Sequence, residues 1–200
     1  MSSTIDYYNE HAQIFSEYTK EIDFTMIQDR FLAKLPPNAL ILDFGCGSGR
    51  DTKYFLEKGY SVEAIDGSKE LCRIASEYTG ITVQHMYFEM LSDLEKYDGI
   101  WACSSILHLS KESLADVMRK MVAALKLDGI IYTSFKYGDY EGVRNGRYFT
   151  DFTEDSFKDF LGKLECTEVV VEEEWITSDA RPGRSEEKWL NIILRKTEVC

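Results

Sequence analysis

A glycine-rich turn and an acid beyond the next strand are the residues that most clearly point to chemistry. The turn, Leu42 to Gly49, reads Leu-Asp-Phe-Gly-Cys-Gly-Ser-Gly and joins an apolar run to a predicted helix. Glycines at such a junction let a ligand approach the backbone closely. Asp66 ends the next predicted strand, 21 residues after Gly45, a separation that suits an acid binding ribose hydroxyls. The pattern predicts a nucleoside site; the alternative is an ordinary strand–helix turn with Asp66 as a cap.

The spacing of the glycines also bears on the type of nucleoside. A dinucleotide turn has the form G-x-G-x-x-G, in which the third glycine lets the helix pack beneath a pyrophosphate. Here Arg50 occupies that third position. Asp43 adds negative charge just before the turn, where a pyrophosphate would be repelled. These features favour a ligand with an ammonium group and disfavour a nucleotide-sugar or NAD enzyme.

In this turn and most of the chain, from about residue 37 to the end, the sequence resembles the class I S-adenosylmethionine (SAM)-dependent methyltransferases. It is loosely similar to the small, stand-alone tellurite-resistance type. The resemblance implies SAM as cofactor, with the methionine part near the glycine turn, the ribose at Asp66 and the adenine beside the segment after the third strand. The residues it implies for cofactor binding are Asp43, Gly45, Cys46, Gly47, Asp66, Gly67, Phe88, Glu89 and Cys103.

Alternating strands and helices must position these residues. Apolar runs predict strands at 39–42, 61–65, 81–84, 97–103 and 129–135, and helices at 50–58, 69–78, 111–125 and 155–164. Two consecutive strands, 168–175 and 189–195, predict an antiparallel hairpin at one edge. The predicted fold is a Rossmann-like α/β fold: an open seven-stranded sheet, mostly parallel with an antiparallel C-terminal hairpin, and helices on both faces.

The N-terminal region is predicted to be helical and to have its own role. Tyr7, His11, Ile14, Phe15 and Tyr18 are spaced as one face of a helix, and a second helix is predicted over 24–35. We expect a single SAM-dependent methyltransferase domain over 1–200, with 1–36 as a candidate lid in which Tyr7, Tyr8, Phe15 and Tyr18 close over the cofactor. The alternative is a helix that packs its apolar stripe on the sheet edge.

Polar residues on loops at the carboxyl ends of the strands are the candidates to bind the acceptor. His108 could act as a base or orient the acceptor, or else pack as a structural histidine. The segment 136–149, predicted to be irregular, carries three bases, and the loop before the last strand adds Arg181, Arg184 and Lys188. Together they favour an anionic acceptor; the alternative is that they are solvated loop charges or form ion pairs with Asp179, Glu186 and Glu187. The candidates to face the acceptor are Tyr8, His108, Lys136, Arg144 and Arg147. No catalytic residue is assigned, because methyl transfer needs a base only when the nucleophile must lose a proton.

Composition narrows the function classes. Thirty-five acids against 23 bases give a net charge of −12, which disfavours nucleic acid as a partner. The alternatives are a methyltransferase acting on tRNA or a protein side chain, and a non-catalytic SAM-binding domain. The five cysteines, at 46, 72, 103, 166 and 200, include no Cys-x-x-Cys pair, so we expect no metal site and a cytoplasmic location. We also expect no signal peptide and no membrane segment.

Overall fold

The computed structural model describes residues 2–164 and 168–198, and these residues form nine strands and seven α-helices. The strands are β1 Leu40–Phe44, β2 Ser61–Asp66, β3 Val83–His85, β4 Tyr97–Ala102, β5 Leu125–Lys136, β6 Glu141–Arg144, β7 Arg147–Thr150, β8 Val169–Ser178 and β9 Lys188–Lys196. The helices are α1 Ser2–Glu10, α2 Ala12–Lys20, α3 Thr25–Leu32, α4 Arg50–Glu57, α5 Lys69–Thr79, α6 Lys111–Ala124 and α7 Glu154–Lys163.

Seven of the strands form one open sheet in the order β3-β2-β1-β4-β5-β9-β8. The strands from β3 to β5 are parallel, whereas β9 pairs antiparallel with both β5 and β8. The predicted α/β fold is therefore confirmed, including the reversed C-terminal hairpin. The winding direction reverses between β1 and β4, and in such sheets ligands bind beyond the carboxyl ends of the strands at that point.

Side chains that alternate along the strands enter two cores, one on each face of the sheet. On one face, Leu42 and Ile100 pack with the apolar side of α6. On the other, Ile41 and Trp101 pack with residues of α3 and α4. Burial on both faces explains why these strands read as short, continuous apolar runs.

The N-terminal region differs from the single helix that the spacing predicts. It forms two helices, α1 and α2, with His11 between them in a non-helical conformation. The side chain of Ile14 is 71% exposed, so it does not belong to the buried face. The next helix, α3, ends at Leu32, before the predicted end at 35.

The segment after β5, predicted to be irregular, contains a two-stranded hairpin of β6 and β7. Its turn residues, Asn145 and Gly146, both have positive φ, at 49° and 75°. An Asn-Gly pair is the preferred sequence for such a turn, because both residues tolerate this conformation. The Asn-Gly pair therefore indicates a hairpin in the sequence, and the prediction of an irregular segment is wrong here.

Cys46, Cys72 and Cys103 are free thiols, whereas Cys166 and Cys200 lie outside the described residues. Within 2–164 and 168–198, no helix has the length and apolar character that crossing a bilayer requires.

Candidate functional site

A cavity of about 430 Å³ opens at the carboxyl ends of β1 and β4, where the sheet reverses its winding. Its floor includes the glycine turn after β1, the end of β2 and the segment after β4. Residues of α1, α2, β7 and the β8–β9 connection form the surrounding walls. The fold thus brings elements that are distant in sequence to one site.

The glycine turn is held tightly against the next strand. The backbone N–H groups of Gly45 and Cys46 both donate to the carbonyl of Ile65, each over 3.0 Å. Gly45 and Gly47 have φ of 88° and 55°, in the left-handed region that favours glycine. A Cβ atom on Gly45 would lie only 2.5 Å from the Cβ of Ser105. Glycine is therefore required there by both conformation and space.

Asp66, at the end of β2, lines the cavity and fixes the turn. One carboxylate oxygen accepts the Gly47 N–H over 2.9 Å and the other accepts the Ser68 N–H over 2.8 Å. Burial raises the pKa of Asp66, and these backbone hydrogen bonds partly oppose that shift. A carboxylate has about four acceptor positions, so this one retains capacity to accept hydroxyl groups from a ligand.

Asp43 does not line the cavity, contrary to the expectation that it lies beside the cofactor. Its side chain turns beneath the glycine turn, where the residue is 1% exposed and accepts the Thr52 hydroxyl over 2.5 Å. Burial and the nearby Asp51 carboxylate raise the pKa of Asp43. Because it is enclosed and held by α4, we interpret Asp43 as a support for the turn.

A buried polar network adjoins this support. Asp51 accepts hydrogen bonds from Arg50 Nε over 2.7 Å, from Trp101 Nε1 over 2.9 Å and from Gln28 Nε2 over 2.7 Å. Burial disfavours the charge of Asp51, but these donors outweigh burial and lower its pKa. The network explains Arg50 at the third-glycine position, since its guanidinium is bound to the neighbouring acid.

Cys103 follows β4 and faces the cavity as a neutral thiol. Burial, reinforced by the charge of Asp51, raises its pKa to about 12. A thiol with so high a pKa is almost fully protonated at neutral pH and is a poor nucleophile. The next residue, Ser104, has a φ of 52°, an uncommon conformation for a residue other than glycine, and its N–H donates to Ser134 Oγ over 2.9 Å.

The far end of the cavity contains Gly67, Phe88 and Glu89. Phe88 packs on the ring of Phe44 with 4.6 Å between centroids. The Oε1 atom of Glu89 is buried and has no hydrogen-bond partner among the described residues. A buried acceptor without a partner is costly, which makes this oxygen a natural site for a ligand donor.

Two further candidate residues, in addition to Asp43, lie outside the cavity. Tyr18, expected to close over a cofactor, is 49% exposed and does not line it. Arg144, expected to face the acceptor, donates to Asp151 over 2.5 Å and lies against the Tyr140 ring. Both expectations therefore conflict with the structure: Tyr18 lies on the exposed side of α2, whose Phe15 and Thr19 line the cavity, and Asp151 binds Arg144.

The remaining acceptor candidates, Tyr8, His108, Lys136 and Arg147, all line the cavity. Lys136 forms an ion pair with Glu187, one of the acids considered as partners for the loop bases. Arg147 has no carboxylate partner among the residues that the structure describes. The Nη1 of Arg147 donates to Tyr8 Oη over 3.3 Å. Its Nε is buried and has no hydrogen-bond partner among the described residues.

Ile5, Ser105 and Trp189 line the cavity although the sequence analysis did not assign them to the site, whereas Phe15 and Arg181 were expected there, in the lid and among the loop bases. Phe15 lies 3.2 Å from the position of a Cβ on Gly47, and Ile5 lies 2.7 Å from that on Gly67. Ser105 donates to the Phe44 carbonyl over 2.6 Å and so fixes the segment after β4. Trp189 and Arg181 extend the wall on the side of the hairpin. Spacing in the sequence carries no signal for these contacts, since each joins elements far apart in the chain.

Comparison with known proteins places this geometry in context. Residues 41–129, which include the glycine turn, Asp66 and Cys103, match a family described as a methyltransferase domain. The chain is 27% identical over 183 residues to an uncharacterized methyltransferase of Staphylococcus carnosus, covering 81% of this chain and 88% of that protein. It is also 27% identical over 139 residues to an uncharacterized methyltransferase of Alkaliphilus oremlandii, covering 66% of this chain and 62% of that one.

Solved structures share the fold at low sequence identity. The 1,6-didemethyltoxoflavin-N1-methyltransferase of Burkholderia thailandensis, with 1,6-didemethyltoxoflavin and S-adenosylhomocysteine bound, aligns with a TM-score of 0.73 and 22% identity. The alignment covers 97% of this chain and 85% of that one. The magnesium protoporphyrin IX methyltransferase of Synechocystis PCC 6803, with bound S-adenosylhomocysteine, aligns with a TM-score of 0.72 and 16% identity, covering 96% and 97%.

Proposed function

Because the chain is a class I SAM-dependent methyltransferase, we propose that its acceptor is a small molecule with an anionic group bound by Arg147. The cofactor supplies a methyl group already activated on a sulfonium. The protein must therefore hold the acceptor in line, at attack distance, and exclude water.

The residues around the cavity fit SAM. Gly45 and Gly47 line the cavity and carry no side chain, so a ligand can approach the backbone of the turn. Asp66 retains acceptor capacity for the ribose hydroxyls after its two backbone hydrogen bonds. The unpartnered Oε1 of Glu89 is suited to the exocyclic amine of adenine. We assign cofactor binding to the turn Gly45–Gly47, to Asp66 and Gly67, to Phe88 and Glu89, and to Cys103.

The state of Arg147 is the observation that carries the proposal of an anionic acceptor. The other Lys and Arg residues that line the cavity have acid partners: Arg50 pairs with Asp51, Lys136 and Arg184 with Glu187, and Arg181 with Asp179. Arg147 faces the cavity with a buried Nε that has no partner among the described residues. A guanidinium binds a carboxylate or phosphate through two parallel hydrogen bonds, which would satisfy that group.

We also propose that the chain acts as one domain in which residues 1–36 form a lid. Two contacts support this role: Ile5 packs over the Cα of Gly67, and Phe15 packs over the Cα of Gly47. Asn9 accepts the Ser68 hydroxyl over 2.7 Å and so ties α1 to the end of β2. The widely separated cysteines support a cytoplasmic location.

Calorimetric titration with SAM, followed by a methyl-transfer assay, tests the function. We expect SAM to bind, and turnover of small carboxylates or phosphates in a panel that pairs each with its neutral amide or alcohol. Arg147→Gln should raise KM for the anionic member of a pair by about tenfold to a hundredfold, the scale of a lost charge-assisted hydrogen bond. It should leave KM for the neutral member unchanged.

Arg119→Gln is the matched control, since Arg119 lies on α6, pairs with Asp116 and is outside the cavity. Equal effects of Arg147→Gln on both members of a pair would contradict the assignment of the anion to Arg147. SAM binding without turnover across the panel would favour the non-catalytic alternative. Turnover of tRNA or protein alone would favour a macromolecular acceptor.

A further inference from the structure

A hydrogen-bonded pair of Tyr8 and His108 stands beside Arg147 in the cavity wall. Tyr8 Oη lies 2.9 Å from His108 Nε2, and His108 Nδ1 lies 2.6 Å from the Tyr148 carbonyl oxygen. A carbonyl only accepts hydrogen bonds, so Nδ1 carries the imidazole proton. The Nε2 atom therefore holds a lone pair, and Tyr8 donates its hydroxyl proton to it.

The surroundings keep this pair neutral. Burial lowers the pKa of His108 to about 4; its hydrogen bond to Tyr148 opposes that shift and the charge of Arg147 adds to it. Burial also raises the pKa of Tyr8, against the effect of Arg147 and together with the charges of Asp66 and Tyr7. At neutral pH the pair thus consists of a protonated phenol and an imidazole that is free to accept a proton.

We propose that Tyr8 and His108 form a proton relay that removes a proton from the acceptor's nucleophilic atom. The inference rests on the proposed function, and it narrows the acceptor to an anionic compound whose methylated atom is a weakly acidic O–H or N–H. The acceptor's proton would enter the relay at the Oη atom of Tyr8, a residue that lines the cavity. This oxygen already accepts one hydrogen bond, from Arg147.

The relay moves one proton over two hydrogen bonds. The acceptor's proton passes to Tyr8 Oη as the original Tyr8 proton passes to His108 Nε2, which leaves Tyr8 neutral and His108 as an imidazolium. The acceptor's lone pair forms a bond to the methyl carbon, and the electron pair of the broken carbon–sulfur bond remains on the sulfur. The imidazolium then releases its proton to solvent.

The strength of the base limits the acceptor class. Burial weakens His108 as a base, so proton removal through the relay is easier the more acidic the acceptor group is. Phenols, enols and acidic ring N–H groups are therefore better suited to the relay than aliphatic alcohols. Arg147, next to the relay, stabilises the negative charge that develops as the proton leaves.

Steady-state kinetics of Tyr8→Phe and His108→Asn test the relay, with Tyr137→Phe as the control on an exposed tyrosine outside the cavity. The probes are phenolic carboxylates and, as a matched set, carboxylates with a tertiary amine, which loses no proton on methylation. For phenols, we expect both relay variants to lower kcat by about 10²–10⁴, the usual size of general-base catalysis, with KM changed less than threefold. The loss should shrink as the pH approaches the pKa of the phenol.

The loss of kcat for the tertiary amines should be much smaller than the loss for the phenols, because no proton leaves a tertiary amine on methylation. Equal losses for phenols and tertiary amines, or a loss that does not change with pH, would overturn the relay. Calorimetric SAM affinity measured on each variant identifies any that has lost its fold, and His108→Gln then replaces His108→Asn.

A spectroscopic measurement tests the relay independently of the acceptor. Long-range ¹⁵N NMR of the imidazole should show His108 protonated on Nδ1 and neutral between pH 5 and pH 8, and Tyr8→Phe should shift the Nε2 resonance. A His108 that is protonated on Nε2, or that is still an imidazolium at pH 8, would overturn the relay. If no anionic compound is methylated, the proposed function fails, while this spectrum still decides the state of the pair.

Discussion

Replacement of Gly45 by alanine separates two reasons for glycine in the turn: backbone conformation and space. Gly45 has a φ of 88°, and a Cβ there would lie 2.5 Å from Ser105 Cβ and 3.0 Å from the Phe88 ring. Gly59 has the same φ of 88°, but a Cβ there would meet nothing within 4 Å. Gly59→Ala therefore measures the conformational cost alone.

The difference between the two variants follows from these distances. A left-handed conformation costs a residue with a Cβ about 1–2 kcal/mol, and this cost applies to both positions. Overpacking of a tight site adds about 1–3 kcal/mol, and this cost applies at Gly45 alone. The contact is with Ser105 Cβ, next to the main chain, and Ser105 is fixed by its hydrogen bond to the Phe44 carbonyl. The clash cannot be relieved by rotation of a flexible side chain.

Urea unfolding at pH 7 gives the free energy of unfolding of each variant, and calorimetry gives its affinity for SAM. We expect Gly45→Ala to be less stable than Gly59→Ala by about 1–3 kcal/mol. We also expect it to bind SAM at least tenfold more weakly, while Gly59→Ala binds as the wild type does. Equal stability and equal SAM affinity of the two variants would refute the reasoning about space.

Three further predictions concern single side chains. Asp66→Asn should weaken SAM binding by about 1–3 kcal/mol in calorimetry, because charge-assisted hydrogen bonds to the ribose are lost, and an unchanged affinity would place the ribose elsewhere. Cys103 should react with a thiol reagent at pH 8 much more slowly than a free cysteine, as measured by peptide mass spectrometry, because burial raises its pKa to about 12. Burial acts to raise the pKa of Asp179, but hydrogen bonds from Arg181 outweigh it and lower the pKa to about 2. That stabilisation is present above pH 4 and is lost as the pH falls towards 2, so the wild type should exceed Asp179→Asn in unfolding free energy by roughly 2 kcal/mol at pH 7. The gap should close near pH 2 in urea titrations, and a constant gap would contradict the ion-pair explanation.

The sheet and the glycine turn were predictable because their signals are local. Strands buried on both faces appear as continuous apolar runs, and the turn and Asp66 are tied by a spacing of 21 residues. The contacts of Gly45 with Ile65 and of Gly47 with Asp66 follow once β1 and β2 lie side by side.

The acceptor side could be predicted only in part, because its contacts join distant segments. Tyr8 and Arg147 are 139 residues apart, and Tyr8 and His108 are 100 apart. The sequence marks all three as polar or aromatic but says nothing of their contacts. Arg144 and Arg147 are equivalent candidates by composition. The structure distinguishes them because Asp151 forms an ion pair with Arg144, whereas Arg147 has no carboxylate partner among the described residues.

The β6–β7 hairpin separates the candidate acceptor residue Arg147 from the strands that carry the candidate cofactor residues. Gly45 directly follows β1 and Asp66 ends β2, two strands of the main sheet. Arg147 begins β7, and the β6–β7 hairpin, inserted between β5 and α7, pairs with neither edge of that sheet. Tyr148 N–H donates to the Thr4 hydroxyl over 3.0 Å, so this hairpin is anchored on α1. If Arg147 binds the acceptor as proposed, we expect that exchange of about ten residues of the hairpin, together with matching changes in α1, alters which compound is methylated and leaves SAM binding intact. For an engineer, the hairpin is the segment to randomise when a new acceptor is sought.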